Sequence, residues 1–587
     1  MLPGPSFPTK PLFLHLCLLW LSACAGHQSS PASVALSLPG ESIVPLDEGR
    51  KHWLSVGEHS GIQVFNGNAQ AISRWQRTAE FLDSRLTSTE GKQRTLFASF
   101  DTGQNRVLLF SVSTPGFTLQ QELISEPIAF PVEGLCLHKD QQDRLHLFLL
   151  SELYEAHQYL LQAQREGHWR LLPVRTLPTG PNTELCTTLD ARETLITNEN
   201  EEILWAYSTR PEAEIERQLI GFAAVLPHLE SDLPGLHDET QTLQELVSTT
   251  FGPQTPLPEL KPSAETSPMP QAGDAADDPA VWLHPENPAH SLILGTNKRQ
   301  GLFVYDLQGQ ERQRLDVGRL NNVDVRYGVP WQGRIVDIAV ASNRDLNALA
   351  VFAIDRRNAH VELVDNLPTR LDNIYGLCLY QDSDGKVFTF VNDEDGRFVQ
   401  YAIDTSDTRW SAREVRSFHV SSQPEGCVAD DANSRLYLGE EDAGIWTLGA
   451  RAQDSTTLEI FARVGEQLHD DVEGLALVNN AGSQYLLASS QGNDSYVLFD
   501  TTPPYRPLGA FRIGMRLEED SVIDGTSETD GLEVSRANLG GLYSEGILVV
   551  QDGRNVLPQQ PQNFKLLPWS AVQALFPALH PTKNTGQ

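Results

Sequence analysis

A repeat of about 50 residues constrains the fold of this chain more than any other sequence feature. Each repeat begins with a mark, usually an acidic or aromatic residue before a glycine, and continues into a short apolar strand. The marks are Asp278, Asp337, Tyr375, Glu425, Glu473 and Asp530. Their spacings are 59, 38, 50, 48 and 57 residues, and a period of roughly 40 to 50 residues is typical of four-stranded β-propeller blades. We therefore predict an all-β fold with a six-bladed β-propeller in the C-terminal part.

The segments between the marks also favour strands. LILGTN, GLFVYDL, YVLFD and GILVVQD are short β-rich stretches separated by Gly, Asp and Asn turns, with little helical periodicity. The innermost strands of a propeller line a central channel. The repeat marks, most of which are acidic, are therefore expected near one mouth of that channel.

A longer period relates the two halves of the chain. EGLCLHKD matches YGLCLYQD, ELC matches EGC, and ITNENEEI matches LGEEDAGI, with offsets of 242, 241 and 242 residues. About 60 residues separate Trp205 from Glu265, whereas 141 follow the matching Trp446, so the first copy lacks about two blades. The predicted domains are an incomplete, propeller-like first copy at 30–250, a proline-rich linker at 251–274 and a complete propeller at 265–580.

The N-terminus predicts export. The apolar run at 12–23 is shorter than the roughly 20 residues that a membrane-spanning helix needs, so it indicates a signal peptide at 1–24. The tetrapeptide LSAC ending at Cys24 resembles a bacterial lipobox, in which the cysteine becomes lipidated. An ordinary secretory signal cleaved after Ala25 or Gly26 is the alternative. Both readings predict an exported protein, either an envelope lipoprotein, with the outer membrane favoured, or a secreted one.

The net charge argues against a nucleic-acid partner. The chain has 44 Lys and Arg against 77 Asp and Glu, which gives a formal charge of −33. No basic stripe that could neutralise a phosphate backbone is present. A small-molecule substrate is expected instead, with membrane contact only through a lipid anchor.

The four cysteines after the signal segment follow the same repeat. They contain no CxxC pair and so no zinc signature. An exported compartment permits disulfides, and neighbouring inner strands would bring the cysteines together as Cys136 with Cys186 and Cys378 with Cys427. Buried free thiols are the alternative.

Ten ordered motifs between about Glu265 and Trp569 resemble the bacterial β-propeller phytase family. They are DAADDPAVWL, TNKRQGL, LNNVDVRY, VDIAVASNR, SQPEGC, EEDAGIW, DDVEGLAL, ASSQGNDSY, DGTSETDG and QDGRN. The resemblance implies a calcium-dependent phosphatase that removes phosphates from phytate, inositol hexakisphosphate. The first copy resembles the incomplete extra domain of dual-domain members.

The resemblance also implies the site residues. The ligands of the catalytic calcium ions would be Glu265, Asp277, Glu425, Glu441, Glu473 and Asp524. A structural calcium would use Asp278 with the carbonyls of Pro279 and Val323, Asp471 and Gln491 would act near Glu473, and Asp552 would belong to another structural site. The phosphate-binding residues would be Lys298, Arg299, Asn321, Arg326, Arg344 and Tyr375. The chain departs from the family at Glu394, where a lysine is common, so one phosphate subsite is altered.

The implied mechanism is direct hydrolysis by a water that bridges calcium ions, without a covalent intermediate. Phytate carries six phosphomonoesters, each with a charge of roughly −1.5 to −2, which bare carboxylates would repel. Clustered carboxylates become useful when they hold Ca²⁺, which takes oxygen ligands. The sequence has neither the RHG motif of histidine acid phosphatases nor the HCxxGxxR motif of cysteine phosphatases.

The first copy lacks the cationic residues of this pattern. It has Glu58 and His59 opposite Lys298 and Arg299, and Asp101 opposite Arg344, although the acids Glu133, Glu184 and Glu199 persist. We therefore predict that it assists the second copy rather than hydrolysing phytate efficiently alone.

Two other functions fit parts of the pattern. One is a calcium-dependent lactonase or phosphotriesterase on a six-bladed propeller, and the other is a non-catalytic propeller that binds a surface partner. Lys298, Arg299 and Arg344 favour an anionic substrate over the first. A binding propeller does not account for ten motifs in one order.

Overall fold

The computed structural model describes residues 38–89, 92–165, 168–200, 202–222, 236–251, 256–405, 409–465, 467–480, 482–519 and 521–579. The predicted signal segment and Cys24 lie outside the described residues. The described residues divide into two compact units, one with 38–79 together with 113–119, and the other with 80–112 and the described residues from 120 to 579.

Six antiparallel sheets form the C-terminal β-propeller, as the repeat predicts. Numbered in chain order from the innermost strand outward, blade 1 is Ala276–Trp282, Leu292–Asn297, Gly301–Tyr305 and Glu311–Asp316, and blade 2 is Leu320–Trp331, Arg334–Asn343, Ala348–Ile354 and Val361–Pro368. Blade 3 is Ile374–Gln381, Val387–Asp393, Arg397–Asp404 and Ser411–His419, and blade 4 is Pro424–Asp430, Arg435–Glu440, Gly444–Gly449 and Glu459–Arg463. Blade 5 is Val472–Asn480, Ser483–Ser490, Ser495–Asp500 and Pro507–Ile513, and blade 6 begins with Leu532–Ser535, Ile547–Asp552 and Asn563–Pro568.

The ring is closed by strands that precede blade 1 in the chain. Ala264–Glu265 is the outermost strand of blade 6, where it pairs antiparallel with Lys565–Leu566. Glu259–Leu260 adds a fifth, parallel strand to blade 5. Both short strands lie within the predicted linker at 251–274, and they pair there because an outer blade edge has free backbone groups. The innermost strands contact one another in blade order, and that of blade 6 contacts that of blade 1.

One hydrophobic cluster seals each of the six blade interfaces. Between blades 1 and 2, for example, Trp282 packs with Phe352 and Val361, all fully buried. The strands Leu292–Asn297 and Gly301–Tyr305 are buried at every position. Radial stacking covers both faces of each blade, which is why these strands are buried throughout.

The first copy contains four sheets, two fewer than the second, as the repeat predicts. In order they are Ser42–Pro45, His52–Gly57, Gly61–Asn66 and Ala71–Trp75 (blade I); Ala79–Thr89, Lys92–Asp101, Arg106–Ser113 and Thr118–Ile124 (blade II); Val132–Lys139, Leu145–Ser151, Glu155–Ala163 and Trp169–Pro178 (blade III); and Cys186–Leu189, Thr194–Glu199, Ile203–Ser208 and Gln218–Phe222 (blade IV). Helix α1 (Leu236–Phe251) packs Leu243 and Val247 against blade IV, covering apolar surface that a following blade would cover in a full ring.

The remaining described elements are short. Helix α2 is Trp569–Leu575, and two hairpins pair Arg516–Leu517 with Val522–Ile523 and Asn555–Val556 with Gln559–Gln560. The 3-10 helices are Asp190–Arg192, Pro288–His290, Gln491–Asn493, Gly541–Tyr543 and Pro577–Leu579. No helix in the described part of the chain has the length and apolar character needed to cross a membrane.

Two disulfides join neighbouring inner strands at matching places in the two copies. Cys136 bonds to Cys186 between blades III and IV, and Cys378 bonds to Cys427 between blades 3 and 4. Both disulfides connect one blade covalently to the next. The structure therefore has the disulfides and not the alternative of buried free thiols.

Candidate active site

Each inner strand of blades 1 to 5 has a β-bulge at the same place near its start. The bulges coincide with Asp277 and Asp278 in blade 1, Asn321 and Asn322 in blade 2, Tyr375 in blade 3, Glu425 in blade 4 and Glu473 in blade 5. A bulge inserts an extra residue that leaves the regular pairing, which redirects its side chain. At Tyr375, Glu425 and Glu473 the bulge coincides with a repeat mark, and these three side chains line one cleft at the mouth of the channel. The blade 2 mark Asp337 departs from this expectation because it lies on the second strand, Arg334–Asn343, and Asp278 lines a different cavity.

A glycine follows four of the six marks and allows the inner strands to approach closely. A Cβ atom on Gly376 would overlap the carbonyl oxygen of Glu425, and one on Gly426 would overlap that of Glu473. Any larger residue would push neighbouring blades apart. In these repeats the glycine is therefore required for packing, and the residue before it supplies the functional side chain.

Three carboxylates converge at this mouth. Glu425, Glu441 and Glu473 each offer an oxygen within 4.8 Å of the others, and Glu425 and Glu473 are buried. Burial, reinforced by the Glu425 charge, raises the pKa of Glu473 well above its usual value. Burial likewise raises the pKa of Glu441 to about 7. The cluster lacks an internal positive charge to offset this repulsion.

The carboxylates are oriented by amides rather than neutralised by cations. Asn321 Nδ2 donates to Glu425 Oε1 at 2.7 Å, and Gln423 Nε2 donates to Glu441 Oε1 at 2.8 Å. Amide donors fix the direction of an oxygen without cancelling its charge. The negative potential of the cluster is thus preserved.

Buried oxygens near the cluster have no protein donor among the described residues. Both carboxylate oxygens of Asp277 and Oε2 of Glu473 are buried without a hydrogen-bond partner. Unpaired buried carboxylate oxygens are costly, and a hard divalent cation would satisfy them. The donor set therefore fits a metal ion. Asp471 and Gln491, both predicted from the sequence, line the same cleft.

Lys298 lies between acidic side chains beside this cluster. Its Nζ is 2.9 Å from Asp530 Oδ2, 3.2 Å from Asp274 Oδ1 and 3.9 Å from Asp277 Oδ1. These charges, chiefly Asp277 and Asp530, outweigh burial and raise the pKa of Lys298 well above its usual value. Asp530 was missed as a site residue although it is a repeat mark, which was the available signal.

Arg344 faces the cluster from blade 2. Its Nη1 donates to Asn321 Oδ1 at 3.3 Å, and its guanidinium carbon lies 4.9 Å from the centre of the Tyr375 ring. Its Nη2 is 2.6 Å from Glu394 Oε1. The glutamate that stands in place of the family's common lysine thus partly neutralises Arg344.

Comparisons with known proteins identify the family of this chain. The sequence matches the protein family described as Phytase over residues 247–581, which is more than half of the chain. The chain belongs to the phytase family. It is also 39% identical to a 3-phytase of Bacillus subtilis (strain 168) over 320 residues, covering 52% of this chain and 83% of that protein. The chain is therefore a phosphatase hydrolase of the phytase type, as the motifs predict.

This phytase does not bring all of the predicted ligands together. Lys565 Nζ lies 2.7 Å from Glu265 Oε2, 2.6 Å from Asp524 Oδ1 and 3.1 Å from Asp552 Oδ2. Lys565 and the two aspartates are fully buried. In this structure a lysine ammonium is the cation that Glu265 and Asp524 contact, and their role as calcium ligands stays a prediction. Lys565 lies outside the repeat marks, so periodicity gave no signal for it.

Other predicted residues lie around a second cavity of about 390 Å³ farther along the inner strands. Asp278, Pro279, Val323 and Arg326 line it together with Glu533. Asp278 Oδ2 accepts the backbone N–H of Val323 at 3.0 Å, and burial raises its pKa well above the usual value. Arg326 is therefore separated from Arg344 and pairs with Asp324 and Asp431, at 2.9 and 2.8 Å.

Arg299 is also placed apart from the carboxylate cluster. It is exposed, and its Nε donates to the carbonyl of Asp274 at 2.7 Å. The adjacent Lys298 has the inward position that the sequence predicts for both residues.

Proposed function

We propose that this phytase hydrolyses the phosphomonoesters of myo-inositol hexakisphosphate in a calcium-dependent reaction that yields lower inositol phosphates and orthophosphate. The observation that carries the proposal is the convergence of Glu425, Glu441 and Glu473 within 4.8 Å beside the cations Lys298 and Arg344. Carboxylate oxygens suit Ca²⁺, which binds six to eight oxygen ligands.

The electrostatics explain why a metal is needed. A phosphomonoester approaching the cluster alone would meet repulsion from carboxylates that are already crowded and desolvated. Calcium held by Glu425, Glu441, Glu473 and Asp277 would act as a Lewis acid toward phosphate oxygens and offset the carboxylate charge. The family resemblance and the donor chemistry support this choice of ion.

The remaining residues position the substrate. Lys298 Nζ and the Arg344 guanidinium would donate to oxygens of the phosphate that reacts, with the planar arginine suited to two parallel hydrogen bonds. Asn321 links the two halves of the site, because it accepts from Arg344 and donates to Glu425. Water would attack phosphorus directly, so that no phosphorylated enzyme forms.

We further propose that the protein acts outside the cytoplasm, as an envelope lipoprotein or a secreted enzyme. Two disulfides support an oxidising compartment. The lipobox-like tetrapeptide ending at Cys24 supports the anchored form.

Substrate competition tests the function. The calcium-loaded full chain is expected to release orthophosphate from inositol hexakisphosphate and to leave a simple lactone and a phosphotriester unchanged. Hydrolysis of the lactone or triester without phosphate release would contradict the proposal in favour of the rival enzymes. Binding of hexakisphosphate without turnover of any of the three would favour a non-catalytic propeller.

A further inference from the structure

The first copy contributes a wall to the cleft of the second. The cleft around the carboxylate cluster has a volume of about 680 Å³, and Arg210, Glu214 and Glu216 line it along with propeller residues. These three residues follow the third strand of blade IV, Ile203–Ser208. The size is within the roughly 300 to 1,000 Å³ typical of ligand sites.

This wall is held in place by buried contacts. Leu160 and Val174 of blade III pack with Met515, Val556 and Leu557 of the propeller in one apolar cluster. Such desolvated contacts fix the relative position of two elements.

Polar contacts fix the segment next to Arg210 itself. Glu212 is buried, and its Oε1 accepts the backbone N–H of Gly525 at 3.3 Å. Its carbonyl accepts from Arg554 Nη2 at 2.9 Å. The chain next to Arg210 is therefore anchored to the propeller through Gly525 and Arg554.

Three arginines meet at this junction and face the cleft. Arg210 comes from the first copy, and Arg512 and Arg554 come from the propeller. Arg210 Nη2 is 3.2 Å from Asp494 Oδ2, and Arg554 pairs with Glu528. Each of these two therefore has one carboxylate partner.

Arg512 is not matched by a carboxylate in the same way. Its Nε donates to the carbonyl of Asn493 at 3.1 Å, and within the described residues no carboxylate oxygen lies within 4.0 Å of its nitrogens. Burial, followed by the neighbouring charge of Arg210, lowers the pKa of Arg512 to about 10. An anion at this position would gain from a positive charge that has no carboxylate in direct contact among the described residues.

One short turn connects the arginines to the catalytic side of the cleft. The 3-10 helix Gln491–Asn493 begins with Gln491, whose Nε2 donates to Asp530 Oδ1 at 2.5 Å, next to Lys298. The same turn ends at the Asn493 carbonyl that Arg512 contacts, and Asp494 follows it. A ligand with several phosphates on one small ring can therefore reach both groups.

We propose that Arg210, Arg512 and Arg554 form a second phosphate subsite, built jointly by the two copies, for a phosphate of an inositol polyphosphate other than the one that reacts. The inference rests on the proposed function for its substrate class. Glu214 and Glu216 are exposed on the same wall, and their charge restricts anion binding to its arginine end. The incomplete copy thus acts in substrate recognition.

Equilibrium binding of myo-inositol hexasulfate to the calcium-loaded full chain tests the subsite without turnover. Arg512→Gln and Arg210→Gln are each expected to weaken binding about tenfold, as expected for loss of a hydrogen bond to a charged group. The control is Arg165→Gln, which breaks an ion pair of 2.6 Å to Glu519 across the same junction but outside this cleft. Its affinity should change less than twofold.

Further readouts separate recognition from folding. Arg512→Lys should recover part of the lost affinity, and melting temperatures should match the wild type. With phytate as substrate, the glutamine variants should raise KM more than they lower kcat. A structural role alone would lower the melting temperature and would not be rescued by lysine.

The outcomes distinguish this inference from the proposed function. If the wild type hydrolyses phytate but Arg512→Gln and Arg210→Gln bind hexasulfate normally, the subsite is wrong and the function stands. If the wild type binds hexasulfate in an Arg512-dependent manner but releases no phosphate, the function is wrong and the subsite stands. No binding to the wild type overturns the subsite.

Discussion

The two copies carry matching inner strands, yet their carboxylates meet different partners. Blade III has a bulge at Glu133, just as blade 3 has one at Tyr375. In the first copy, Glu199 pairs with Arg217 at 3.1 Å. In the second, the side chain of the matching Glu441 accepts a hydrogen bond from the amide of Gln423 and joins the carboxylate cluster.

The number of blades accounts for much of this difference. Glu473 belongs to blade 5, and the described strands of the first copy end with blade IV at Phe222. A carboxylate cluster of this type needs ligands from successive blades around a closed ring. The comparison shows that repeat marks become a site only when enough blades direct them to one point.

Removing a cluster carboxylate should have the largest effect. Glu425→Gln is expected to lower kcat for phytate about 100- to 1,000-fold, since one charged ligand is lost while the shape is kept. Glu184→Gln, at the matching mark of the first copy, should change kcat less than twofold. Phosphate-release kinetics with both variants measure this difference. An equal loss of kcat in the two variants would contradict the proposed difference between the copies.

Lys565, which contacts the carboxylates of Glu265, Asp524 and Asp552, should affect the stability of the protein rather than its turnover. Lys565→Met leaves Glu265, Asp524 and Asp552 buried without their cation, and we expect a loss of about 3 to 5 kcal/mol in the free energy of unfolding. Arg217→Met breaks the more exposed pair with Glu199 and should cost about 1 kcal/mol or less. Chemical denaturation of both variants measures the difference.

Asp524→Ala separates the two interpretations of its carboxylate. The contact with Lys565 predicts a lower melting temperature, with turnover falling only as the folded fraction falls. A large loss of turnover in a fully folded variant would instead support the ligand role implied by the family resemblance.

The calcium-free protein should lose stability as pH rises. The pKa of Glu441 is raised from 4.5 to about 7 and that of Asp530 from 3.8 to about 7, in both cases mainly by burial. The folded state therefore holds protons that the unfolded state releases above its lower pKa values, so unfolding becomes easier from about pH 4 to about pH 7. Calcium should restore stability at the upper end.

Melting temperatures across this range, with calcium and with chelator, check the expectation. Glu133 in the first copy also has a pKa raised to about 7, by burial and by Glu152. Glu441→Gln should reduce the stabilisation by calcium, whereas Glu133→Gln should not. A melting temperature that rises with pH in chelator would contradict the account.

The smallest effect is expected at the altered phosphate position. Glu394→Gln releases Arg344 from its partner at 2.6 Å, and we expect KM for phytate to fall about threefold to tenfold as a result. Glu152→Gln is the matched variant in the first copy and should leave KM unchanged. An unchanged KM in Glu394→Gln would mean that Arg344 does not hold phosphate.

The repeat predicted what periodicity can encode. The six blades of the second copy, the four blades of the first and the clustering of Glu425 with Glu473 all follow from the repeat, although the mark Asp337 lies on a second strand. The glycine after four of the marks has the same origin, because Gly376 and Gly426 allow adjacent inner strands to approach.

Residues outside the repeat could not be found in this way. Lys565 is on the third strand of blade 6, and its contacts depend on closure by Ala264–Glu265, which is distant in sequence. Arg210 lies in the cleft because the two copies pack together, and a sequence repeat does not predict how its copies pack. The motif match predicts Arg326 near Arg344, whereas in the structure Arg326 lines another cavity.

The central claim is that a divalent cation among Glu425, Glu441 and Glu473 makes an acidic cleft receptive to a polyanion. The most direct test is orthophosphate release from inositol hexakisphosphate by the full chain after chelation, as Ca²⁺ is added back. The account predicts that activity disappears with chelator and returns in a saturable manner with calcium. Release that continues at the original rate in the calcium-free protein would contradict it.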